Sequence, residues 1–143
     1  MTSWLLLSYK LPANPSALRV YVWRKLKRLG AILLNDTIWV LPDTSRTAEH
    51  LQWLVTEIQE RRGTVNLWRS NLVLGLREED LIDQFKKQVD GEFEDLLKRL
   101  DEKNPDLAKL SHDYQQIIGK DYFRSQIAQQ VRAKLLKLRG ETK

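Results

Sequence analysis

Short apolar runs alternate with stretches of helical periodicity over the first seventy residues or so, and this alternation restricts the fold more than any bulk property of the chain. Trp4 to Tyr9 is an apolar run bounded by Leu11-Pro12 and Pro15, which reads as a buried strand central in its sheet. Ser16 then offers an N-cap, and Leu18, Val22, Leu26 and Leu29 recur at helical spacing until Gly30 supplies a stop. Ala31 to Leu34 and Thr37 to Leu41 are two short strands joined by Asn35-Asp36, residues that tolerate the left-handed backbone of a tight hairpin. Pro42 ends the second. From about Thr47, residues Leu51, Leu54, Val55 and Ile58 line one face of a second helix, which stops at Arg61-Arg62-Gly63 before a fourth strand, Thr64 to Trp68.

The order strand, helix, strand, strand, helix, strand predicts an α+β fold, a ferredoxin-like βαββαβ sandwich whose helices cover one face of an antiparallel sheet. Asn71 to Leu76 adds a fifth strand or an arm, and the composition then becomes charged and helix-favouring. The expected division is a sheet domain over residues 1–76 and a C-terminal helical extension over 77–143, not an independent domain. Leu81, Phe85, Val89, Phe93, Leu96, Leu97 and Leu100 mark one long amphipathic helix, interrupted in propensity by Gly91 and ended by Asn104-Pro105. Leu107 to Ile118 forms a second, and Phe123, Ile127, Val131, Leu135 and Leu138 a third. Such stripes must be covered by the sheet, by one another or by a second subunit.

Several chemistries have no foothold. Without cysteine there are no disulfides, thiolate zinc sites or cysteine nucleophiles. His50 and His112 lack the spacing of a metal pair, and neither a phosphate-cradling glycine loop nor a Gly-x-Ser-x-Gly turn is present. No cofactor and no metal is expected. The longest apolar run is far too short to span a membrane and no signal peptide precedes it, so the chain reads as cytoplasmic. The five tryptophans mostly fall in elements expected to pack, and core is their default reading.

Charge is more informative in its distribution than in its sum. Residues 1–75 hold ten basic and five acidic groups, 76–123 eight and thirteen, and 124–143 six and one. On the first helix Arg24, Lys27 and Arg28 lie opposite the apolar stripe, with Arg19 and Lys25 flanking them. Cations one turn apart suit successive phosphates, and Tyr21 or Trp23 can add stacking; the alternative is an ordinary solvated face. Arg124, Arg132, Lys134, Lys137 and Arg139 repeat the theme near the end, where the helix dipole alone also favours cations. The acidic start of the third helix, Glu78 to Asp83, is explained by the same dipole and is not read as a metal site.

Three segments carry a resemblance beyond pattern: Trp4-Leu5-Leu6-Leu7-Ser8-Tyr9-Lys10-Leu11-Pro12, Ser16 through Ala31, and Trp39-Val40-Leu41-Pro42. Together they resemble the N-terminal domain of the chromate-resistance regulator family ChrB. Gly119-Lys120-Asp121-Tyr122-Phe123 is similar to the Asp-aromatic-Phe segment near the end of that domain. The resemblance implies a core similar to the middle domain of PaaX-type repressors and to the CRISPR-associated spacer-acquisition nucleases. It also implies a role in DNA binding; longer members have a further C-terminal domain concerned with chromate sensing, which this chain does not reach. The nuclease relatives place a metal-binding Asp at the end of the first strand, where this chain reads Ser8-Tyr9-Lys10. A nuclease would need that carboxylate to hold its cation.

The reading is therefore a non-enzymatic regulator that binds double-stranded DNA as a homodimer, with no membrane partner and with chromate as the possible effector. Arg19, Arg24, Lys25, Lys27, Arg28, Arg132 and Lys134 are its expected DNA contacts. The alternatives are a dimeric interaction module without DNA affinity and, at low weight, a metal-dependent nuclease.

Overall fold

The structure, a computed structural model, describes residues 2–13, 16–36 and 38–140. It is an α+β chain with one four-stranded antiparallel sheet and, among the described residues, five helices. Two compact units divide it, Met1–Glu78 and Glu79–Lys143.

The first unit runs β1 (Trp4–Lys10), α1 (Ser16–Leu29), β2 (Ile32–Leu34), β3 (Ile38–Pro42), α2 (Ser45–Glu60) and β4 (Thr64–Ser70). Strand order is β2-β3-β1-β4, so β1 lies inside the sheet, as its unbroken apolar run predicts. Register sets Leu5, Leu7, Trp39 and Leu41 on one face and Trp4, Leu6, Val40 and Trp68 on the other. Leu5, Leu7, Leu41, Trp4 and Val40 are all buried, which closes the centre of the sheet on both faces. The Trp4 indole N–H donates to Glu78 Oε1 at 3.0 Å. Asn35 and Asp36 adopt φ of 49° and 64°, the left-handed pair expected of the β2–β3 turn. Thr37, expected to open β3, lies outside the described residues.

Both helices of this unit follow their stripes. Leu18, Val22, Leu26 and Leu29 of α1 are buried, as are Leu51, Leu54 and Ile58 of α2, whereas Val55 is half-buried. Ser16 is the first residue of α1 rather than its cap, and residues 14–15 before it lie outside those described. At the other end, Gly30 N–H reaches Lys27 O and Ala31 N–H reaches Leu26 O, a Schellman motif with Gly30 at φ 84°. Helix α2 begins two residues before Thr47 because Thr44 and Thr47 form a capping box. The Thr47 hydroxyl, fully buried, also donates to Pro42 O at 2.6 Å and ties the helix to the end of β3.

Residues 71–77 form no fifth strand. They leave Val73 and Leu74 each 90% exposed, with Gly75 at φ 105°.

The second unit comprises α3 (Glu78–Leu100, its first residue belonging to the first unit), α4 (Leu107–Ile118) and α5 (Gln126–Leu138). Their stripes meet in a core of their own: Val89, Phe93, Leu96 and Leu100 of α3, Leu110 and Ile117 of α4, and Ala128, Val131 and Leu135 of α5. Asp106 caps α4, accepting from Lys109 N–H at 3.1 Å. The periodicity predicts the third helix from Phe123, but α5 starts at Gln126 because the preceding residues build its cap. The Asp121 carboxylate accepts from Ser125 N–H at 2.9 Å, the Ser125 hydroxyl accepts from Ile127 N–H, and Asp90 of α3 bonds that same hydroxyl. Tyr122 and Phe123 lie against Phe85, with centroids 6.2 and 5.8 Å away. The Asp-Tyr-Phe segment is thus the joint that seats α5 on α3.

Candidate nucleic-acid interface

Helix α1 has no acidic residue anywhere along its length. At about 100° per residue, the buried stripe lies opposite Val20, Trp23, Arg24 and Lys27, and Arg28 stands to one side of that ridge. Arg19, Arg24, Lys27 and Arg28 are exposed, and Lys25 is half-buried. Among the described residues none of the five is paired with a carboxylate. Lys27 and Arg28 occupy the last turn, where the dipole favours them, but Arg19 sits near the N-terminus, where it does not. Helix stability therefore leaves Arg19 unaccounted for.

Trp23 is half-exposed at 50%, with Lys27 Nζ 5.9 Å from its ring centroid. Lys25 turns away from this ridge and lies 5.8 Å from the Tyr21 ring. The Tyr21 hydroxyl donates to Glu57 of α2, a bond that pushes the phenol above its usual pKa and keeps it a donor. Between α1 and α2 runs a groove of about 390 Å³ lined by Tyr21, Glu57, Glu60 and Arg61 among others. Its two carboxylates outnumber Arg61 and disfavour an anion there.

The structure thus sets Lys27 against Trp23, leaves Arg24 and Arg28 on the exposed side of α1, turns Lys25 to Tyr21, and places Arg19 where its charge acts on Tyr9 of β1. The two remaining sequence-predicted residues lie on α5, in the other unit. Arg132 is exposed and lines a groove beside α4, whereas Lys134 is neutralised by an ion pair with Asp101. Among the described residues no three His, Cys, Asp or Glu side chains gather to hold a metal.

Core, the default expectation for the tryptophans, holds for Trp4 and Trp39 only. Trp23, Trp53 and Trp68 are half or more exposed. For Trp23 and Trp53 the signal was present, because both lie off the apolar stripes of their helices. Trp68 is on β4, an edge strand, a position that only the sheet order reveals.

The family model described as "Protein ChrB, N-terminal" matches residues 19–99, more than half of the chain and the whole cationic part of α1. The chain is also similar to Protein ChrB of Cupriavidus metallidurans, 39% identical over 64 residues. That stretch is 45% of this chain and spans about a fifth, 20%, of the relative's length. No solved structure gives a significant match.

Proposed function

This chain belongs to the family of ChrB N-terminal domains, and from that premise we propose that it is a DNA-binding regulatory domain associated with chromate resistance. The observation that carries the reading is the exposed side of α1, which presents Arg19, Arg24, Lys27 and Arg28 with a half-exposed Trp23 beside Lys27 and no carboxylate on the helix. Phosphates neutralised there release condensed counterions, and the indole supplies a stacking or wedging surface. Such contacts position a duplex without reading its sequence, so base recognition belongs to other side chains. The element order βαββαβ with strand order β2-β3-β1-β4 supports a ferredoxin-like reading of the sheet unit. We read the domain as non-enzymatic: Ser8, Tyr9 and Lys10 end β1 opposite Asn66, Val65 and Thr64, so neither strand supplies there the carboxylate that a catalytic cation needs.

The test is fluorescence anisotropy of a labelled duplex from upstream of the gene, against a scrambled duplex, across a salt series and with or without chromate. Arg24→Glu combined with Lys27→Glu is expected to weaken duplex binding at least about tenfold at low salt while far-UV circular dichroism is unchanged. Undiminished binding by that variant overturns the assignment to α1. Loss of affinity on adding chromate supports the regulatory part of the proposal.

A second reading, a homodimeric interaction module, is favoured by one observation: the apolar side chains of Val73 and Leu74 are almost wholly solvent-facing just after an edge strand. It expects Val73→Asp with Leu74→Asp to convert a dimer to a monomer in sedimentation, and it expects no DNA retention by the native chain.

A further inference from the structure

Strand β4 is an edge of the sheet, and it lacks the devices that keep an edge from pairing with another chain. The opposite edge, β2, is blunted by its length of three residues, whereas β4 runs for seven. It contains no proline and no lysine, and it pairs with β1 residue for residue, from Trp4 opposite Ser70 to Lys10 opposite Thr64, without a bulge. Its one charge, Arg69, is engaged by Asp43 of its own unit. A row of backbone N–H and C=O groups therefore faces outward along a regular strand.

The surface beside that edge is apolar. Trp68 is 59% exposed, and the chain continues into the still more exposed Val73 and Leu74. Together the three present on the order of 400 Å² of side chain, so a two-fold pair covering them reaches, with the strand edges themselves, the roughly 1,000 Å² that a specific interface requires.

The strand is also complementary to itself. Antiparallel pairing of two copies overlaps all seven residues only when it is centred on Leu67, which sets Leu67 against Leu67, Asn66 against Trp68, Val65 against Arg69 and Thr64 against Ser70. No like charges oppose one another in that register, and the chain beyond each strand carries Val73 and Leu74 past Thr64 of the second copy.

We propose that β4 pairs antiparallel with β4 of a second copy of this chain, about a two-fold axis at Leu67, joining two four-stranded sheets into one of eight strands. The proposal rests on the self-association that the second reading expects and assigns its register. It uses no residue of α1 and stands whether or not that helix binds a duplex.

The test exploits the absence of cysteine from the chain. Opposed residues of an antiparallel pair have Cα atoms about 4.5–5.5 Å apart, within disulfide reach, so Leu67→Cys is expected to cross-link two full chains on mild oxidation. Thr64→Cys is expected not to, because its two copies lie six residues, roughly 20 Å, apart along the pair. Sedimentation equilibrium then reads the register through charge. Asn66→Lys with Trp68→Lys opposes like charges twice at exposed positions and is expected to raise the dimer dissociation constant at least about tenfold. Asn66→Glu with Trp68→Lys opposes carboxylate to ammonium at the same places and is expected to keep the dimer. Equal cross-linking of the two cysteine variants, or equal dissociation of the two charge variants, overturns the β4 pairing. A native dimer that falls apart on Val73→Asp with Leu74→Asp but ignores both charge variants overturns it while leaving the second reading intact. A native chain that stays monomeric at every concentration reached overturns both.

Discussion

Arg62 and Gly63 divide the end of α2 in an unexpected way. Arg62 takes the left-handed backbone, φ 64°, while Gly63 donates to Ile58 O at 2.9 Å. The glycine is needed for space: a Cβ at Gly63 would stand 2.6 Å from Ile58 Cγ2 and 3.1 Å from Leu11 Cδ2. Ile58 is fully buried and has little room to give. Gly63→Ala is therefore expected to cost about 1–3 kcal/mol by overpacking, and Arg62→Gly to gain roughly 0.5–1 kcal/mol by relieving the left-handed strain. Urea unfolding of the two variants checks both signs. A second residue-scale expectation concerns Asp43, which accepts from Arg69 Nε and, at 3.1 Å, from Ser3 Oγ. Chiefly through the Arg69 bond, its carboxyl is held below the usual range. Its stabilising contribution is present above the unfolded carboxyl pKa, about 3.9, and is lost as pH falls through the lower folded value. Asp43→Asn should be less stable than the native chain at pH 7, and the gap should close toward pH 2 in melting curves recorded across that range.

Among the elements, α3 has the clearest unused stability. Gly91 sits in its middle, exposed, and a Cβ there would meet nothing within 4 Å. Gly91→Ala is expected to gain roughly 0.5–1 kcal/mol by reducing the entropy lost on helix formation, read as a higher thermal midpoint. Phe93, two residues on and fully buried, marks the opposite extreme. Phe93→Ala should cost about 3–5 kcal/mol, because the cavity would open where α3, α4 and α5 meet, and calorimetry would register it. The start of α5 shows where sequence periodicity reaches its limit. Phe123 and Ile127 have helical spacing, but Asp121 and Ser125 turn the chain first, and Arg124 carries a φ of 56°. A hydrogen bond between side chain and backbone overrides an apolar pattern at a boundary, since the pattern states only which face is buried. Segment 71–77 pairs with neither edge of the sheet, and its apolar Val73 and Leu74 are left exposed, so an apolar run alone does not make a strand.

At the scale of the molecule, net charge is a poor guide to the field. The acidic stretch over residues 76–123 offsets basic ends, and the +5 total conceals the cationic α1. If Arg19, Arg24, Lys27 and Arg28 all meet phosphates, log affinity should fall with log salt at a slope of about −3 to −4, flattening by about 2 in the Arg24→Gln, Lys27→Gln pair. Much of this organisation was written in the residues. The stripe Leu18, Val22, Leu26 and Leu29, the Asn35-Asp36 turn, Gly30 and the central β1 were legible because each rests on a local rule of period, handedness or sterics. So were the cations of α1, whose placement opposite a buried stripe follows from helix geometry alone. What only the tertiary structure decided are relations between elements distant in sequence. The exposure of Trp68 follows from β4 being an edge, and the pairing of Tyr21 with Glu57 needs α2 beside α1. The neutralisation of Lys134 needs Asp101 from the turn after α3, and the groove lined by Arg132 needs α4 beside α5. Periodicity fixes which side of an element is apolar, but which neighbour covers it, and which charges meet there, is settled by packing among elements.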